Sequence, residues 1–107
     1  MTNGLSLDRW TDLQLEKVTS MISRKVIKGS SQVLTQIYLK SGAQIPMRTC
    51  ESEQMIYVLQ GRLRCFVKTK NFIVSEGEVL TLNLGTAYQL EALEDTFQIV
   101  FMVNLQA

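Results

Sequence analysis

With 107 residues, 46% of them hydrophobic, the chain can bury one core and has the size of a single domain, 1–107. Eleven Lys and Arg against ten Asp and Glu leave a net charge of +1, so no electrostatic footing exists for a nucleic acid or a membrane surface, and a small molecule or a protein is the expected partner. No stretch approaches the ~18 apolar residues of a membrane span. The first eight residues also lack the basic start and apolar run of a secretory signal, so the expected location is the cytoplasm.

The first 28 residues are mixed. Trp10, Leu13, Leu15 and Val18 fit a short extended arm or a poor helix, and 1–28 is expected as an N-terminal arm ahead of a barrel spanning 29–105. After the turn cluster Lys28-Gly29-Ser30-Ser31, Val33, Thr35, Ile37 and Leu39 alternate with Leu34, Gln36 and Tyr38, which places the two sets on opposite faces of a strand. Ser41-Gly42 ends that run, and Pro46, the only proline, marks an edge or turn. Gln54 to Gln60 is a second strand, closed by Gly61, and Arg62 to Lys70 a third, with Leu63, Cys65 and Val67 on one face. Ser75-Glu76-Gly77-Glu78 is a turn before Val79 to Leu84, and the apolar run Phe97 to Leu105 has no helix start signal. Short strands separated by regular turns predict an all-β fold, an antiparallel sandwich or barrel. Cys50 and Cys65 lack CxxC spacing and are expected as free thiols.

Gly42, Arg48, Cys50, Gln54 and Gly61 fall at the spacing Gly-x5-His-x-His-x3-Glu/Gln-x6-Gly, and Gly77, Asn83, Gly85, Tyr88 and Ala92 at Gly-x5-Pro-x-Gly-x2-His-x3-Asn. In these positions the chain resembles the small single-domain cupins, most closely those that open the ring of unsaturated uronates in pectin and alginate breakdown. The resemblance spans about Lys25 to Val103. It implies a jelly-roll β-sandwich closing into a barrel, and a homodimer in which an arm pairs across the interface. It also places a divalent metal at positions 48, 50, 54 and 88, where this chain has Arg, Cys, Gln and Tyr and contains no histidine at all. Gln54 alone keeps a ligand type of the family.

Residues two apart on a strand face the same way, so Arg48 and Cys50 point into one space. Guanidinium has only donors and stays charged; Arg48 repels a cation rather than ligating it. One thiol, one amide and one phenol are a poor set for zinc. No cofactor is expected, although a metal held by Cys50, Gln54 and Tyr88 stays open. The leading expectation is a metal-free barrel binding a small anionic or sugar-acid-like molecule, with Arg48 on its carboxylate or phosphate and Cys50, Gln54 and Tyr88 around it. Two alternatives stand beside it: an isomerase or lyase acting on a sugar acid, metal-dependent through Cys50, Gln54 and Tyr88 or metal-free, against which the missing histidines argue, and a purely structural or interaction domain. In blander terms, Arg48 pairs with Glu51 or Glu53, Cys50 fills a small polar gap, Cys65 is core, and Tyr88 plugs the space of a lost histidine. Arg62, Arg64, Lys68 and Lys70, on one strand face about Phe66, read as a solvated face or a phosphate-binding stripe. Met47, Met55 and Met102 line an apolar pocket or fill core gaps.

Overall fold

The computed structural model describes residues 4–105; the outermost positions of the expected single domain, 1–3 and 106–107, lie outside the described residues. In chain order the strands are β1 (Glu16–Lys17), β2 (Ile22–Lys28), β3 (Gln32–Leu39), β4 (Gln44–Thr49), β5 (Gln54–Gln60), β6 (Arg62–Val67), β7 (Lys70–Ser75), β8 (Val79–Leu82), β9 (Ala87–Ala92) and β10 (Thr96–Val103). They form two antiparallel sheets, in the spatial orders β1-β2-β3-β10-β5-β8 and β4-β9-β6-β7. One 3-10 turn, Trp10–Asp12, precedes them, and no α-helix occurs among the described residues. None of these residues forms a helix long and apolar enough to cross a membrane.

Of the two alternating sets on β3, the one with Thr35, Ile37 and Leu39 turns to the core. Thr35 pairs with Val26 and Val100, Val100 with Ile56, and Ile56 with Leu80, so one row of side chains crosses five strands toward the second sheet. From the other side Leu63, Cys65, Val74, Leu90 and Ala92 meet it, and all are buried. A fully buried aliphatic side chain of this kind contributes about 1.5–3 kcal/mol.

Three sequence readings change. The arm does not reach residue 28: Ile22–Lys28 pairs with β3 along its whole length, because Ile22 and Val26 alternate inward with the register of that strand. The run from Arg62 to Lys70 is not one strand. It breaks at a Lys68–Thr69 turn, where Lys68 has φ 55°, and Lys70 starts β7. A lysine in the left-handed region carries no glycine or asparagine signal, so the hairpin was not legible. The four-residue basic stripe therefore dissolves: Arg62 pairs with Glu94, and Arg64 donates to Asn71 Oδ1. Finally, β9 adds a strand between Leu84 and Phe97, in which Tyr88, Leu90 and Ala92 alternate inward.

Pro46 sits on β4, an edge strand, where its missing N–H costs no ladder bond. The register slips between Ile45 and Arg48, a bulge that re-aims the residues after it.

Candidate functional site

Beyond the bulge, Arg48 is the direct partner of Tyr88 on β9. Directly opposed residues share a face, and Tyr88, Leu90 and Ala92 all face inward, so Arg48 is turned to the barrel side as well. Cys50 follows two residues later. Its N–H donates to the Thr86 carbonyl at 2.9 Å and its carbonyl accepts from the Gly85 N–H at 2.9 Å, which fixes the thiol against the turn that feeds β9. Gly85 has φ 86°, a backbone that a glycine adopts freely. Gln54 opens β5 in the opposite sheet, between Leu82 and Met102.

The four positions thus meet at one end of the sandwich. The Tyr88 hydroxyl donates to Gln54 Oε1 at 3.2 Å, a bond that ties the two sheets together. Arg48 is exposed at the rim, whereas Cys50 and Tyr88 are 2% and 4% exposed. Among the described residues the Arg48 side chain forms no ion pair and no hydrogen bond; the pairing with Glu51 or Glu53 is not made. Concavities of 290, 510 and 500 Å³ are lined by other residues, and beside the exposed Arg48 the phenol of Tyr88 and the thiol of Cys50 are buried.

Electrostatics follow from that burial. Burial pushes the Tyr88 phenol up, an effect that the positive charge of Arg48 opposes and the neighbouring Cys50 and Cys65 reinforce. Burial also pushes up the Cys50 thiol. Cys65 rises to about 11, first through burial and then through Cys50. Neither thiol is poised as a nucleophile, since the thiolate is the reactive form. Both thiols are expected to stay silent toward a soluble disulfide reagent in the native protein and to react on unfolding; rapid labelling of either at pH 8 contradicts this placement. The linkage has a definite sign. The folded pKa of Cys65 lies above its ordinary 9.0, so the fold holds a proton that the unfolded chain releases. Stability is full below pH 9 and falls as pH climbs toward 11, which denaturant titrations at pH 8 and 10.5 measure.

The donor set does not fit a divalent cation. Arg48 is itself a cation, the Gln54 oxygen is occupied by the Tyr88 hydroxyl, and the thiol of Cys50 is held protonated. No cluster of three His, Cys, Asp or Glu side chains occurs among the described residues. One inward polar group escaped the sequence reading. Gln98 on β10 is 1% exposed, and its Oε1 has no hydrogen-bond partner among the described residues. Its place between Thr96 and Val100 in the inward alternation was the available signal. The methionines divide: Met47 is exposed, while Met55 and Met102 line the 510 Å³ concavity, Met102 also packing against the core.

No protein-family model matches this sequence, and no curated protein matches it. Solved structures do match the fold. KdgF from a Halomonas species superposes with a TM-score of 0.83 at 21% identity, over 92% of this chain and 94% of KdgF. An RmlC-like cupin from Shewanella frigidimarina gives 0.86 at 12% identity, over 99% and 96%. The polyketide cyclase RemF from Streptomyces resistomycificus gives 0.79 at 18%, over 92% and 78%. The chain therefore has the small cupin fold that its glycine spacing implied, and a fold so widely shared fixes no activity by itself.

Proposed function

We propose that this cupin barrel works without a metal and binds a small carboxylate or phosphate, sugar-acid-like in class, at the rim where Arg48 stands. One observation carries the reading: Arg48 is exposed on the barrel-side register beside Tyr88, with no carboxylate partner among the described residues. A guanidinium held beside a neutral, buried phenol and thiol offers a planar fork of donors to an anion. Tyr88 and Gln54 lie behind it as further hydrogen-bonding groups, already bonded to one another. An enzyme reading draws less support, because Cys50 and Tyr88 are both held away from ionisation and the chain has no histidine to activate them.

Thermal-shift and calorimetric titrations with inorganic phosphate, acetate and galacturonate test the proposal. At least one of these anions is expected to bind the native protein. Arg48→Met is expected to weaken that binding about 10- to 100-fold, the worth of one charge-assisted hydrogen-bonding group, with Arg48→Lys in between. Equal binding by Arg48→Met and the native chain overturns the assignment. If none of the anions binds, the second reading is favoured, a barrel that serves as a scaffold.

A further inference from the structure

The last row of the four-stranded sheet carries a cation at each end of its barrel side. Arg48 is the Cα partner of Tyr88, and Val67 that of Lys70. The register that sets Phe66 opposite Gln89 brings Val67 level with Tyr88, so the row runs Arg48, Tyr88, Val67, Lys70. Its two middle members face inward: Tyr88 is buried, and Val67 packs against the core. Directly opposed residues share a face, so Lys70 stands on the barrel side as Arg48 does. The turn at Lys68–Thr69 brings this about. In one unbroken strand Lys70 would share the outward face of Arg62 and Arg64; the reversal turns it to the inward register of β7, three strands away from Arg48. The end row of the other sheet, joined to this one by the Tyr88–Gln54 bond, runs Lys28, Val33, Met102, Gln54, Leu82. The two rows thus hold three cations and no carboxylate. Glu51 and Glu53, on the connection from β4 to β5, pair with none of the three, and Glu53 lines the 510 Å³ concavity instead. Because the whole chain has a net charge of only +1, the positive field at this end is local.

We infer that the rim takes a sugar acid with an anionic group at each end, Arg48 holding one group and Lys70 the other, a refinement that rests on the reading of Arg48 above. Reach supports that class. Three strand spacings of about 4.8 Å set the two Cα atoms about 14 Å apart. Both side chains have stems of about 6 Å, so their heads can lean over Tyr88 and Val67 until a chain with termini about 6–7 Å apart bridges them. A six-carbon diacid has that length, and a sugar acid phosphorylated at its far end slightly more. The two cations differ in what they accept. Guanidinium presents a planar fork that matches a carboxylate, whereas an ammonium on a flexible stem is a point charge that takes a carboxylate or a phosphate equally. A singly charged acid engages one end of the row and leaves the other ammonium in water.

Calorimetric titrations with galacturonate, galactarate and phosphogluconate at constant ionic strength test this. All three have a six-carbon chain; the first has one anionic group, the others one at each end. The native protein is expected to bind at least one two-ended acid about 5- to 10-fold more tightly than galacturonate, between the worth of an exposed ion pair and that of a charge-assisted hydrogen bond. Which of them it prefers tells whether the far group is a carboxylate or a phosphate. Lys70→Met is expected to abolish the preference and to leave galacturonate binding unchanged. Lys40→Met, an equally exposed lysine at the opposite end of the strands, is expected to leave all three affinities unchanged. A preference that survives Lys70→Met overturns the assignment, and so does a native protein that binds the three acids equally or binds none. An equal loss in Lys40→Met also overturns it, because net charge and not the place of Lys70 then sets the preference. If Arg48→Met weakens galacturonate while Lys70→Met changes nothing, the reading of Arg48 stands and the second contact alone falls. If Arg48→Met changes nothing, both fall.

Discussion

Substituting alanine for Gly61 is expected to destabilise the protein by about 3 kcal/mol or more, read as a drop in the urea midpoint at unchanged slope. Gly61 is the corner at which the chain leaves β5 in one sheet and enters β6 in the other, and its φ is 91°. An L residue in that region is already strained by about 1–2 kcal/mol. Space is the harder constraint. A Cβ there would lie 2.5 Å from the Asp95 carbonyl oxygen, 2.5 Å from Thr96 Oγ1 and 2.8 Å from Thr96 Cα. Two of those atoms are backbone, and the third is held by bonds from the Thr96 hydroxyl to the Glu94 and Arg62 carbonyls at 2.8 and 3.2 Å. Nothing flexible is available to yield. A loss below about 1 kcal/mol would mean that this corner relaxes and that the close approach is not a constraint.

Tyr88→Ala is expected to cost about 3–5 kcal/mol, the range for emptying the site of a large buried aromatic side chain. Its phenol lies under Arg48, between the sheets, and its hydroxyl is the partner of Gln54. Tyr88→Phe keeps the ring and loses only that bond, so about 1 kcal/mol is expected. The ratio of the two, from urea titrations of both variants, separates a plug from a hydrogen-bonding group. If Tyr88→Ala costs no more than Tyr88→Phe, the ring does not fill the barrel end.

Much of the fold was legible because the signals were local. The alternation of Val33, Thr35, Ile37 and Leu39 against Leu34, Gln36 and Tyr38 is a property of eight consecutive residues, and the strand follows it. The glycines that set the motif spacing mark true corners, as Gly61 and Gly85 show. The hairpin at Lys68 was hidden because a lysine there adopts a conformation that its side chain does not advertise. The placement of Arg48, Cys50, Gln54 and Tyr88 at one end was also legible, since strand alternation and motif spacing bring them together. The state of that end was not. Whether such residues surround an opening or close it depends on the Tyr88–Gln54 contact between two sheets, 34 positions apart in sequence. The row that joins Arg48 to Lys70 was equally invisible, for it exists only when β4, β9, β6 and β7 stand side by side.

That strand order carries a consequence for how the protein is made. β10 lies between β3 and β5, so the six-stranded sheet has a gap at its centre until Thr96–Val103, more than fifty residues after β3, has been synthesised. Until then the β2–β3 hairpin exposes Ile22 and Leu39 without their partners in the core. Pairings this distant in sequence are slow to form, and unpaired apolar strands are the species that aggregate. Growing the protein at lower temperature, or slowing its synthesis late in the message, addresses the step that the topology makes vulnerable.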